Sequence, residues 1–196
     1  MSSRNAILAA VKLNQPEKTG LPGINSFETN TKGSLEKFAA ILSAVGGNIA
    51  YVSSFDEIAR LILTRHGESV RIVSPIKELT AFNKENLASI THIHDLQNVE
   101  VAIIKAHFAV AENGAVWVTE DDMQHRVLPF VSQHLAVIIN VGAIVPTMHE
   151  AYERISKTSY GFGTFIAGPS KTADIEQSLV IGAHGPRSMT VFVMSS

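Results

Sequence analysis

The sequence predicts an α/β fold in a single domain, built on a mixed, mainly parallel sheet. Three observations predict it. A strand–helix–strand unit runs from Ile49 to Val73, an order that builds parallel strands through a right-handed crossover. Asn113-Gly114 stands between two apolar runs, which signals an antiparallel hairpin inserted in that sheet. From Leu135 to the carboxyl end, strand-length apolar segments alternate with a helical pattern, as layered α/β domains require. The 196 residues suit one hydrophobic core.

Taken in order, the first element is a short helix over about Ser3–Leu13. Pro16, Gly20, Pro22 and Gly23 then forbid its continuation, so residues 14–23 read as an extended arm. The domain boundaries follow as 1–30 for helix and arm and 31–196 for the main domain. Leu35, Phe38, Ala39, Leu42 and Val45 recur at helical spacing, and Gly46-Gly47 ends that helix. Ile49–Val52 is a strand, Phe55–Leu63 a helix opened by a Ser54/Glu57 capping box, and Val70–Val73 the next strand. Val101–Ile104, Phe108–Ala111 and Ala115–Thr119 are strand-like, and a type I′ turn is expected at Asn113-Gly114. Gln124–Gln133 reads as a helix, Leu135–Asn140 as a buried strand and Thr147–Ile155 as a helix. Thr164–Ala167 and Met189–Val193 are strands flanking a polar, glycine-containing stretch.

Composition removes several function classes. Sixteen basic and eighteen acidic residues leave a net charge of −2, too balanced for general binding to nucleic acid or a membrane surface. Cysteine is absent, so this chain holds no disulfide, thiolate nucleophile or cysteine-ligated iron–sulfur cluster. The amino end lacks the apolar core of a secretory signal, and no apolar run approaches the ~20 residues of a membrane helix. A cytoplasmic protein is expected. Neither a dinucleotide Gly-x-Gly-x-x-Gly turn, a phosphate-cradling Gly-Lys-Ser/Thr loop nor a Gly-x-Ser-x-Gly elbow is present where it would be needed.

Three stretches could carry chemistry at strand ends, where backbone N–H groups and helix termini converge. In Gly168-Pro169-Ser170-Lys171-Thr172-Ala173-Asp174-Ile175-Glu176, Gly168 permits close backbone approach and Lys171 can neutralise an anion. Ser170 and Thr172 can cap a helical turn, and an ordinary helix start is the competing reading. In Gly182-Ala183-His184-Gly185-Pro186-Arg187, His184 can move a proton near neutral pH and Arg187 can fork a carboxylate or phosphate. The alternative pairs Arg187 with Asp174 or Glu176. Glu112, at the end of an apolar strand beside the Asn113-Gly114 turn, is either a partly desolvated base or nucleophile, or a solvent-facing hairpin residue. His92-Ile93-His94 places two imidazoles on one strand face, but two ligands without a third make no metal site. His107, His125, His134 and His149 read as surface or capping histidines.

The first two stretches together closely resemble the paired signature of the LUD, or lactate-utilisation, domain family. Ala111-Glu112-Asn113-Gly114 stands where that family usually carries Ala-Glu-Thr-Gly, and Leu128-Pro129 with Leu135–Val141 and Ile144-Val145-Pro146 is similar to its middle section. The resemblance extends from about Gly33 onward and leans to the short lactate utilisation protein C subgroup. It implies a fold like that of CoA transferases, ribose-5-phosphate isomerase and glucosamine-6-phosphate deaminase. It also implies a part in oxidising L-lactate to pyruvate beside cysteine-rich, iron–sulfur partner subunits, with no cofactor in this chain. The site it implies joins Gly168, Ser170, Lys171, Thr172, Asp174, Glu176 and Arg187 around a small carboxylate or phosphate, with Glu112 and His184 as the catalytic candidates. The Glu-Asn-Gly spelling is similar to the catalytic glutamate motif of CoA transferases. Two other functions are compatible with the same residues: a stand-alone enzyme acting on a CoA ester, sugar phosphate or folate-type substrate, and a non-catalytic scaffold.

Overall fold

The computed structural model describes residues 2–20, 35–80, 85–175 and 178–195. They belong to two compact units that divide between Asn30 and Thr31. In the first, α1 spans Ser3–Leu13, as its sequence predicts. Ser2 caps it by accepting from the Asn5 N–H, and Asn14 closes it with backbone and side-chain bonds to the Ala10 carbonyl. Residues 15–20 follow without regular structure. Leu21, Pro22 and Gly23, the end of the expected arm, lie outside the described residues.

The second unit is a mixed α/β fold. Five strands make a wholly parallel sheet: β1 (Asn48–Val52), β2 (Ile72–Val73), β3 (Val101–Lys105), β6 (His134–Asn140) and β11 (Ser188–Met194), in the order β1-β11-β6-β3-β2. The first two strands in the sequence are therefore its edges. The chain's last described strand sits between β1 and β6. Four further strands form a second sheet, β7-β4-β5-β8: β4 (Phe108–Val110), β5 (Ala115–Thr119), β7 (Ile144–Val145) and β8 (Gly163–Ile166). β5 is antiparallel to β4 and β8, so the expected hairpin is present, but in this second sheet and not inserted in the parallel one. β9 (Lys171–Ile175) and β10 (Ser178–Ile181) form a separate antiparallel ribbon.

Both faces of the parallel sheet are covered, which explains its near-continuous apolar strands. On one face, Val137, Ile139, Met189, Val191 and Val193 pack with Phe38 and Leu42 of α2 (Leu35–Ala44) and with Val116 and Val118 of the second sheet. On the other, Ile103, Ile138 and Phe192 meet Ile58 and Ile62 of α3 (Phe55–His66). Ser54 caps α3 by accepting from the Glu57 N–H, but the Glu57 carboxylate reaches past it to the N–H and hydroxyl of Ser53. That carboxyl is held below its ordinary pKa chiefly by the Ser53 N–H. The α2 helix ends in a Schellman motif, with Gly46 N–H donating to Ser43 and Gly47 N–H to Leu42.

Four local expectations need correction. The Asn113-Gly114 turn is not type I′, because Gln124 is the one non-glycine residue at positive φ among those described. The turn instead closes by a Gly114 N–H bond to the Val110 carbonyl, and the Asn113 side chain accepts from Ala115 N–H. The helix read over Gln124–Gln133 shrinks to the short α5 (Leu128–Val131), and a second short helix, α4 (Glu120–Met123), ends just before that segment. Pro129 is tolerated in the first turn of α5, whereas inside a longer helix its ring would strike the preceding turn. His92-Ile93-His94 opens a 3₁₀ turn over Ile93–Leu96 rather than a strand, so the two imidazoles do not share a face. Finally, residues 171–175 are a strand and not a helix start.

Candidate functional site

The β9–β10 ribbon brings the two carboxyl-terminal motifs together. Lys171 stands opposite Ile181 and Thr172 opposite Val180. Ser170 is clamped at both backbone groups: its N–H donates to the Pro186 carbonyl at 2.8 Å, and its carbonyl accepts from Gly182 N–H at 3.0 Å. Gly185 lies so near that an added Cβ would stand 3.0 Å from Ser170 Cβ. Arg187 N–H donates to the Gln133 carbonyl at 2.7 Å and fastens the loop to the start of β6. Gly168, at φ +72°, runs against the end of α2, where a Cβ would stand 2.7 Å from the Val45 carbonyl oxygen. No other residue fits there without moving that helix.

The side chains of this cluster divide by exposure. Ser170 and Thr172 are half-buried, while Lys171, His184 and Arg187 reach solvent. The Lys171 stem lies over Gly46, its Cε and Nζ 3.5 Å from where a Cβ would be. The Arg187 stem rests on Gly182. Glu176 and the Asp174 side chain lie outside the described residues. The Gly182–Arg187 loop leads into the amino end of β11, where Ser188 stands opposite His134. His134 Nδ1 is 2.8 Å from Ser188 Oγ, and its ring packs on His66 with centroids 4.4 Å apart. Both imidazoles are held below their ordinary pKa, first by desolvation. Arg65 and Arg187 add to the effect at His134, and the His134 charge and Arg65 at His66. His134, expected at the surface or in a cap, is half-buried in this cluster.

Glu112 sits on a different contact. Its side chain is exposed, and Oε2 accepts from the Met148 N–H at 2.7 Å. Met148 is the first residue of α6 (Met148–Ile155). The carboxylate thus serves one of the orphan donors at that helix terminus and complements its dipole. The strand end that carries Glu112 does lie near the Gly168 loop: Val116 pairs with Ile166 in β8, and Gly114 packs on α2, with a Cβ position 3.0 Å from Leu42 Cα. One helix therefore supports both motif loops, a turn apart.

Sequence reasoning passed over a second concentration of polar groups. His107 Nε2 is 2.9 Å from Thr119 Oγ1 and 2.9 Å from Asp122 Oδ2. Asp122 also accepts from the Thr119 N–H and hydroxyl, completing a capping box at α4. The Thr119-x-x-Asp122 spacing was the available signal. A cavity of about 240 Å³ opens beside them. Among the described residues, no group of three histidine, aspartate or glutamate side chains is placed to hold a metal ion. No described helix is long and apolar enough to cross a membrane.

Comparison with solved structures places this architecture in a known class. A DUF162 family protein from Deinococcus radiodurans superposes with a TM-score of 0.57 over 82% of this chain and 95% of that one, at 18% identity. The likeness is one of fold. The LUD domain matches residues 73–194, more than half the chain, and the chain belongs to that family. Proteins named lactate utilization protein C are similar over shorter stretches. That of Geobacillus thermodenitrificans is 31% identical over 110 residues, 53% of this chain and 46% of the relative. Those of Bacillus pumilus and Geobacillus sp. are 32% and 33% identical, over 43% and 50% of this chain and 38% and 44% of the relatives. The matched region thus spans less than half the length of these relatives.

Proposed function

We propose that this chain is a lactate-utilisation subunit that binds a small carboxylate or other anion and takes part in oxidising L-lactate to pyruvate. The observation that carries this reading is the folding of the Gly168–Thr172 and Gly182–Arg187 motifs onto each other, with Lys171 and Arg187 on one ribbon and its closing loop. Two cations beside half-buried hydroxyls suit an anion with one charged end. His184, exposed on the same loop, is the candidate to take or return a proton. The similarity to lactate utilization protein C supports the pathway. Removing two electrons and two protons from lactate needs an acceptor, and a chain without cysteine cannot ligate an iron–sulfur cluster through thiolates. The acceptors then belong to cysteine-rich, iron–sulfur partner proteins.

Glu112 enters this reading as a support for α6, its carboxylate occupied by the Met148 N–H. Deleting the gene is expected to abolish growth of the source organism on L-lactate while sparing growth on pyruvate. A plasmid copy should restore it, a copy carrying both Lys171→Ala and Arg187→Ala should not, and tagged protein should copurify iron–sulfur proteins. Undiminished growth of the deletion strain on lactate overturns the proposal. Hydroxylamine-sensitive labelling by an acyl-CoA, lost in Glu112→Gln, would instead establish a transferase.

A further inference from the structure

The cavity beside His107 shares no residue with the β9–β10 ribbon, and its lining is chemically distinctive. Its apolar lining comes from Phe108, Trp117 and Ile155, each at least nine-tenths buried. Tyr160 also lines it, edge-on to Trp117 with centroids 5.3 Å apart. One cation faces this apolar surface. Arg154, in the last turn of α6, holds its guanidinium carbon 4.9 Å above the Phe108 ring. A guanidinium held over an aromatic face can still present N–H groups to a planar acceptor such as a carboxylate.

The polar side of the cavity is equally defined. His107 directs Nε2 at Asp122 and Thr119, and Asp122 is itself anchored by two bonds from Thr119. With Nε2–H donated to a carboxylate, the lone pair of a neutral ring resides on Nδ1. Nδ1 makes no hydrogen bond among the described residues. Asp121 also lines the cavity, and its negative charge opposes a ligand bearing a second one.

We propose that this cavity binds a monocarboxylic acid that carries a hydroxyl or keto group beside the carboxylate and an apolar, preferably aromatic, side chain. Arg154 takes the carboxylate, His107 contacts the neighbouring oxygen function, and Trp117, Tyr160 and Ile155 enclose the side chain. The proposal is independent of the lactate reading, which rests on the ribbon.

Trp117 is the single tryptophan of the chain, so its fluorescence reports on this cavity alone. Titration of the full chain with phenyllactate is expected to change that emission saturably, and L-lactate, lacking the apolar side chain, to bind more weakly. Arg154→Gln should weaken phenyllactate binding about 10- to 100-fold, the usual worth of a charge-assisted bond. His107→Asn should weaken phenyllactate more than 3-phenylpropanoate, which lacks the hydroxyl. Arg154 is exposed, so the variant should fold; an unchanged circular dichroism spectrum and melting temperature verify this. No saturable change, equal binding of L-lactate and phenyllactate, or full affinity in Arg154→Gln overturns the proposal.

Discussion

The His66–His134 contact is the residue-scale feature with the clearest thermodynamic consequence. Both rings are about half-buried, in tilted contact, and flanked by Arg65 and Arg187. Each therefore binds a proton less readily in the folded protein than in the unfolded chain, where its value is near 6.5. The stability tied to these groups is fully present above that value and is lost as pH falls through the lowered folded-state values. Calorimetric melting from pH 7.5 to 5 should show a decline that becomes shallower in His134→Asn, by roughly 2 °C at the acid end. Parallel pH profiles for the two proteins would refute the account. Nothing local to Val131-Ser132-Gln133-His134 announces this environment. It depends on a partner 54 residues away, Ser188, and on a ring from α3. Gly168 was legible as a close-approach residue from its own sequence. What it approaches, the Val45 carbonyl, was not.

At the scale of elements, the misread segments share a cause. Helix and strand periods were unambiguous where one apolar face is long, as in α2, α3 and β6. They failed where the element is short or two-sided. The Gln124–Gln133 segment breaks at Gln124, which holds φ 57° and ψ −43° at the end of α4 with its side chain exposed. An L-residue there is strained by ~1–3 kcal/mol, and glycine escapes that strain at a smaller cost in chain entropy. Gln124→Gly is accordingly expected to stabilise the protein by about 1 kcal/mol in urea unfolding, and Gln124→Val to destabilise it. A less stable Gln124→Gly protein would contradict this. The Lys171–Ile175 strand carries small, hydroxyl and acidic residues that also suit a helix start. Its strand state is decided by pairing with β10. The same pairing joins the two signature motifs.

At the largest scale, the second unit is organised by β11. This strand fills the gap between β1 and β6, and its alternate side chains face opposite cores: Met189, Val191 and Val193 one way, Phe192 the other. Two apolar clusters are thereby coupled through one strand. Met189→Ala is expected to cost about 2–5 kcal/mol and Phe192→Ala about 3–5 kcal/mol, each a large fraction of a typical domain's stability. Both variants of the full chain should still lose their parallel-sheet core in one transition, followed by hydrogen exchange of β6 and β11 amides. Separate transitions for the two faces would show that the layers fold independently. The sequence by itself determined the α/β class, the helices α1, α2, α3 and α6, the main sheet strands and the two motifs of the LUD domain, because periodicity, capping and motif spacing are properties of neighbouring residues. Only the tertiary structure decided the strand order, the ribbon that unites Ser170 with Gly182–Arg187, the bond of Glu112 to the first N–H of α6 and the cavity at His107. Each of these depends on which distant surfaces exclude water together, and no local pattern encodes that choice.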